Sequence, residues 1–98
     1  MDVKMTTEGS KALFSMAGEL SVATAPDLEE ALKSMPAELT DIDIDLSEVD
    51  YISSAGLRAM ILAAKIAEER GGGLTVRNAN DDIREVFEMT GLDGVFGD

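Results

Sequence analysis

Two adjacent hydroxyls, Ser53 and Ser54, stand at the start of a long helical pattern, followed by the small residues Ala55 and Gly56. Backbone N–H groups at a helix start lack partners and carry the positive end of the helix dipole. A phosphate added to either serine is tolerated there locally. The plainer reading of Ser54 is that it only caps the helix, a role serine favours. Nucleophilic catalysis is a poor fit: the chain has no His, and Ser54 has no Lys nearby in sequence to activate it. Without Cys, thiol chemistry and disulfides are both excluded. A second constellation is Asp41, Asp43 and Asp45. On a strand these residues share one face but are spread along it, and no other ligand type converges on them. A solvated stripe is therefore favoured over a metal site.

The elements that position these residues can be read along the chain. Rough alternation from Lys4 to Met16, broken at Glu8-Gly9-Ser10, gives two strands and a tight hairpin. Gly18-Glu19-Leu20-Ser21 then leads away from the sheet. Thr24 reads as an N-cap, with Pro26 in the first turn and Asp27 three residues after the cap. Leu28, Ala31, Leu32 and Met35 form one apolar face, and Pro36 ends the helix. Asp41 to Leu46 is the clearest strand, with Ile42, Ile44 and Leu46 opposite the aspartates. Three charges on one face argue for a sheet with helices on one side and water on the other, since a strand between two helical layers is apolar on both faces. Ser47 to Ile52 reads as a loop, and the helix opened by the serines runs to Arg70. Gly71-Gly72-Gly73 stops it; this follows a helix and precedes a strand, so it is no phosphate loop. Leu74 to Arg77 is a short strand. Asn80 or Asp81 caps a last helix carrying Ile83, Val86 and Phe87, which Gly91 ends. Leu92, Val95 and Phe96 are expected to return to the core. The order is β-β-α-β-α-β-α, an α/β fold in a single domain over residues 1–98.

On the helix after the serines, Leu57, Met60, Ile61 and Ala64 share a face expected to meet the core. Leu62 and Ile66 fall opposite, where an exposed apolar pair reads as a docking patch near Ser54, rimmed by Arg58, Lys65 and Glu69. The alternative is that neighbouring helices cover the pair.

The chain has 98 residues, 45% of them hydrophobic, and a formal charge of −12 from 20 acidic and 8 basic residues. That content suits a folded domain rather than a disordered one. The field repels nucleic acids and anionic membranes; it either favours a basic partner surface or serves only to keep the protein soluble. The start Met1-Asp2-Val3-Lys4-Met5 lacks a signal-peptide pattern, and no apolar run is long enough to cross a bilayer. A soluble cytoplasmic protein is expected.

The segment Leu46-Ser47-Glu48-Val49-Asp50-Tyr51-Ile52-Ser53-Ser54-Ala55-Gly56-Leu57 resembles the signature of STAS domains, found in bacterial anti-sigma factor antagonists and in sulfate transporters. Gly18-Glu19-Leu20 with Thr24-Ala25, Leu28 and Leu32, and Ile83-Arg84-Glu85-Val86-Phe87 with Gly91-Leu92, are similar to the same family. The resemblance implies a mixed sheet with helices packed on one face. With no transporter segment attached, it implies the stand-alone antagonist type: a binding protein, not an enzyme, with no catalytic residue, cofactor or metal. The implied partner is an anti-sigma factor that is also a serine-protein kinase, with a serine phosphatase reversing the modification. The family's phosphorylated members carry Asp-Ser-Ser/Thr-Gly-Leu, so aligning on Gly56-Leu57 places the acceptor at Ser54. Ser53 replaces the Asp and is a competing acceptor; Ala55 replaces the Ser/Thr. The expected partner surface comprises Ser53, Ser54, Ala55, Gly56, Arg58, Leu62 and Ile66, on a monomer. A second reading is a STAS module that senses a small ligand or acts as a scaffold without phosphorylation.

Overall fold

A computed structural model describes residues 2–91. The expected return of Leu92, Val95 and Phe96 to the core lies outside the described residues. Within them, β1 (Lys4–Glu8), β2 (Lys11–Leu20), α1 (Ala25–Lys33), β3 (Asp41–Ile52), α2 (Ser54–Glu69), β4 (Leu74–Arg77) and α3 (Asp81–Thr90) follow the order read from the sequence. The four strands form one sheet in the order β1-β2-β3-β4. The hairpin pairs β1 antiparallel to β2, with Glu8 opposite Lys11 and Gly9 at φ +61° in the turn. β2, β3 and β4 run parallel. Both crossovers step one strand in the same direction, so right-handed connections place α1 and α2 on the same face. One buried cluster holds Phe14 and Met16 of β2, Ile42, Ile44 and Leu46 of β3, Leu28 and Leu32 of α1, Met60 and Ala63 of α2, and Ile83 and Phe87 of α3. The helices therefore cover one face, and the aspartates lie on the other.

Five local expectations are corrected. β3 does not end at Leu46 but runs to Ile52, and β2 stays in the sheet through Leu20. The register passes from Ser15↔Asp45 to Ala17↔Glu48, then from Gly18↔Val49 to Glu19↔Tyr51. These irregularities break the two-residue alternation, which makes the second half of the strand read as a loop.

The aspartate stripe is solvated only in part: Asp41 and Asp45 are partly exposed, while Asp43 is buried. Asp43 is only 5% exposed, because the Arg77 guanidinium lies beside it with Nε 2.9 Å from Oδ1. Asp41 accepts a hydrogen bond from the Gly73 N–H at 3.1 Å. Asp45 accepts from the Asn78 amide at 3.1 Å and from the Ser47 N–H at 2.9 Å. The stripe thus ties β3 to β4 and its flanking turns. The one-sided sheet survives, but its open face is a polar lattice rather than bare charge.

The Asn78 amide foremost, then the Ser47 N–H and the Arg77 charge, hold the Asp45 carboxyl below its ordinary value, outweighing the opposing effect of burial. A carboxyl lowered in the folded state stabilises above the ordinary value of 3.8 and loses that contribution as pH falls through the folded value. Denaturant midpoints of the parent should therefore fall more steeply below about pH 4 than those of Asp45→Asn. Parallel acid limbs would remove this role from Asp45.

Thr24 occupies the N-cap position of α1, yet its side chain makes no bond to the helix. Its hydroxyl instead donates to the Glu19 carbonyl at 2.6 Å and accepts from the Ser21 N–H at 2.8 Å. It fastens the β2–α1 loop to the end of β2.

α2 faces the core through Gly56, Ala59, Met60, Ala63 and Ala67; of the expected face only Met60 is fully buried, while Leu57, Ile61 and Ala64 are half-buried. Small residues let the helix axis approach the sheet, and the larger Leu57, Ile61, Leu62 and Ile66 become half-buried flanks. At its far end Gly71 takes φ +80° and closes the helix. Gly72 meets β3 so closely that a Cβ there would fall on the Thr40 carbonyl. The Arg70 guanidinium gathers the carbonyls of Pro36, Leu39 and Met35 at 2.8, 2.9 and 3.1 Å, pinning the α1–β3 connection.

Candidate functional site

The serine pair lies where β3 hands over to α2. The cap is Ser53, not Ser54: Ser53 has extended backbone angles and its Oγ accepts from the Gly56 N–H at 3.2 Å. The Ser53 N–H donates to the Leu20 carbonyl at 2.9 Å, and the Ser53 carbonyl accepts from Leu57 N–H at 2.9 Å. Ser53 is therefore half-buried and engaged through both backbone and side chain. Ser54 is the first residue of the helix, exposed, and its hydroxyl has no hydrogen-bond partner among the described residues. Of the two hydroxyls, Ser54 is the one presented outward.

Gly56 explains how this corner is held. A Cβ there would sit 2.7 Å from the Leu20 carbonyl oxygen and 2.7 Å from Ile52 Cγ1. The absent side chain lets the first turn of α2 seat on β2 and β3. Gly56 is consequently buried and offers no side-chain surface to a partner. Ala55 is half-buried; Arg58, one turn beyond Ser54, is exposed.

The expected docking pair does not stand free. Leu62 and Ile66 are half-buried and packed against the core. Four large apolar residues among the described ones are exposed instead: Met5 on β1, Met89 on α3, Val22, 76% exposed, on the loop after β2, and Tyr51, 53% exposed, near the end of β3. Val22 and Tyr51 stand close in the chain to the Leu20–Ser53 hydrogen bond that anchors the start of α2. The sequence reading passed over them because neither belongs to a periodic helix face. Leu62→Asp is expected to lower stability by roughly 1–2 kcal/mol, whereas Val22→Asp should stay within about 0.5 kcal/mol of the parent. Thermal denaturation of the two variants checks this; equal midpoints would return Leu62 to the surface.

Asn80 joins α3 to the same corner. Its side-chain oxygen caps α3 by accepting from the Ile83 N–H at 2.8 Å, while its amide faces the carbonyls of Val49 and Asp50 at 3.4 and 3.3 Å. Among the described residues no three acids are grouped to hold a metal ion, and no helix is long and apolar enough to cross a membrane.

This arrangement has relatives. The family model described as "Mlab, STAS domain" matches residues 3–97. An anti-sigma-B factor antagonist of Staphylococcus aureus is 33% identical over 93 residues, which span 94% of this chain and 86% of that one. A crystal structure of an anti-sigma factor antagonist from Mycobacterium paratuberculosis superposes with a TM-score of 0.80 at 28% identity, covering 97% of this chain and 81% of the other. The Bacillus cell fate determinant SpoIIAA in its phosphorylated form shares the fold, with a TM-score of 0.78 at 15% identity over 96% of this chain and 87% of its own.

Proposed function

We propose that this chain, which belongs to the STAS domain family, is an anti-sigma factor antagonist: a regulatory binding protein, not an enzyme, switched by phosphorylation of Ser54. The carrying observation is the exposed, unengaged Ser54 hydroxyl on the first turn of α2, in a chain one-third identical to proteins named as such antagonists. Unmodified, the protein binds an anti-sigma factor through Ser54, Arg58, Val22 and Tyr51, and so governs release of a sigma factor in the cytoplasm. The chain is strongly acidic, which suits a partner face with basic surroundings.

The partner also acts as a kinase. The Ser54 oxygen attacks the γ-phosphorus of ATP, the bond between that phosphorus and the β–γ bridging oxygen breaks, ADP departs, and the hydroxyl proton passes to a base on the kinase. Ser53 is a poorer acceptor, since its Oγ is held by the Gly56 N–H. A phosphatase returns the serine by hydrolysis.

Incubation with a kinase-type anti-sigma factor and ATP, followed by peptide mass spectrometry, tests the reading. Phosphate is expected on Ser54 and abolished in Ser54→Ala. Phosphate on Ser53 would move the site by one residue. No phosphate on either serine with the cognate kinase would overturn the switch in favour of a scaffold or ligand-sensing role.

A further inference from the structure

We propose that Arg58 is the built-in counter-ion of a phosphate on Ser54, so that modification adds negative charge and also withdraws the one basic side chain that α2 offers beside it. The proposal deepens the reading of Ser54 as the acceptor and rests on it. Ser54 and Arg58 are four residues apart within α2. That spacing turns them only about 40° from each other around the helix and puts them about 6 Å apart along it, so their side chains meet on one face. The order also matters: an anion N-terminal to a cation at this spacing is the better orientation. Both residues are exposed, and neither side chain has a hydrogen bond or ion pair with another described residue. Arg58 can fold back without giving up a hydrogen bond or ion pair to any described residue.

The surroundings make a cation necessary. The chain carries 20 acidic against 8 basic residues. Glu48 and Asp50 on β3 are exposed close in the chain to the serines, and the exposed Glu19 of β2 lies opposite Tyr51 in the sheet; their charges oppose a second anion here. The next basic residue of α2, Lys65, lies two turns beyond Arg58, outside the reach of a side chain from the first turn. A guanidinium presents paired N–H donors that match phosphate oxygens, which an ammonium does less well. The unmodified protein therefore shows its partner a hydroxyl and an outstretched Arg58. The modified one shows a closed phosphate–guanidinium pair.

The test uses the full chain with phosphoserine installed at position 54 during synthesis, titrated by 31P NMR. The second ionisation of a phosphoserine lies near pH 6. Pairing with Arg58 should lower it relative to Arg58→Gln by about half a pH unit, a roughly threefold change in proton affinity. Arg58→Lys should restore part of the difference, and Lys65→Gln should titrate with the parent. Parent and Arg58→Gln titrating together would overturn the pairing. So would an equal displacement in Lys65→Gln, which would mark a general charge effect. Because the phosphate is installed chemically, a kinase that ignores Ser54 overturns the function above without touching this result.

Discussion

Phosphate on Ser54 should weaken binding of the anti-sigma factor more than a hundredfold while leaving the thermal midpoint nearly unchanged. The group adds about −1.5 to −2 charges at neutral pH. Its own domain accommodates them, because Ser54 is exposed on the first turn of α2 and satisfies nothing that the modification would break. The interface does not. Burying a dianion against a surface shaped for a hydroxyl leaves it desolvated, and a penalty of about 3 kcal/mol already exceeds a hundredfold in affinity. Ser54→Asp should lose less, since one carboxylate carries less charge. Ser54→Ala should bind as the unmodified protein does and keep its full stability, because the capping hydroxyl belongs to Ser53. Ser53→Ala, by contrast, should cost about 1 kcal/mol in folding. Calorimetric titration with the anti-sigma factor decides the matter. Equal affinities for the modified and unmodified chains would sink the proposed switch.

Gly56→Ala should cost about 3 kcal/mol and lower the thermal midpoint by roughly 12–24 °C. The added methyl would lie 2.7 Å from the Leu20 carbonyl oxygen, which is backbone and already accepts the Ser53 N–H at 2.9 Å. Relief requires the first turn of α2 to move off β2, taking Ser53 and Ser54 with it. Binding measured on the fraction still folded should therefore fall as well. Gly72→Ala provides the contrast. Its methyl would strike the Thr40 backbone at the opposite end of α2, so folding should suffer at least as much while binding per folded molecule is kept. Circular dichroism melts paired with titrations at low temperature separate the two. A Gly56→Ala protein that melts with the parent would mean that the corner yields more easily than its contacts imply.

The element order could be read directly because each element carries a local signal: the break at Gly9 between alternating runs, Gly71 after the long helix, and Asn80 ahead of α3. What could not be read depends on distant partners or on broken periods. The second half of β3 alternates out of phase after Leu46, since its register with β2 shifts twice. Asp43 is buried by Arg77, a residue far along the chain whose side chain gives no hint of the pairing. The rotation of α2 was misjudged by weighting large apolar residues, although close packing against a sheet selects Gly56, Ala59, Ala63 and Ala67. At the site, the serine pair was legible as a helix start, but which serine caps and which points outward was settled only by the Ser53–Gly56 hydrogen bond. Val22 and Tyr51 were missed because exposure of a single loop or strand residue leaves no pattern.

The three carbonyls gathered by Arg70 come from the segment between α1 and β3, more than thirty residues earlier in the chain. This is a cross-link across a long loop, in a chain that has no cysteine to form one covalently. A disulfide over such a span would act largely by restricting the unfolded chain, and it would come and go with the redox poise of its compartment. The guanidinium clasp restricts nothing once the chain unfolds. It stabilises only the folded side of the equilibrium, re-forms on each refolding without an oxidant, and is indifferent to reducing conditions.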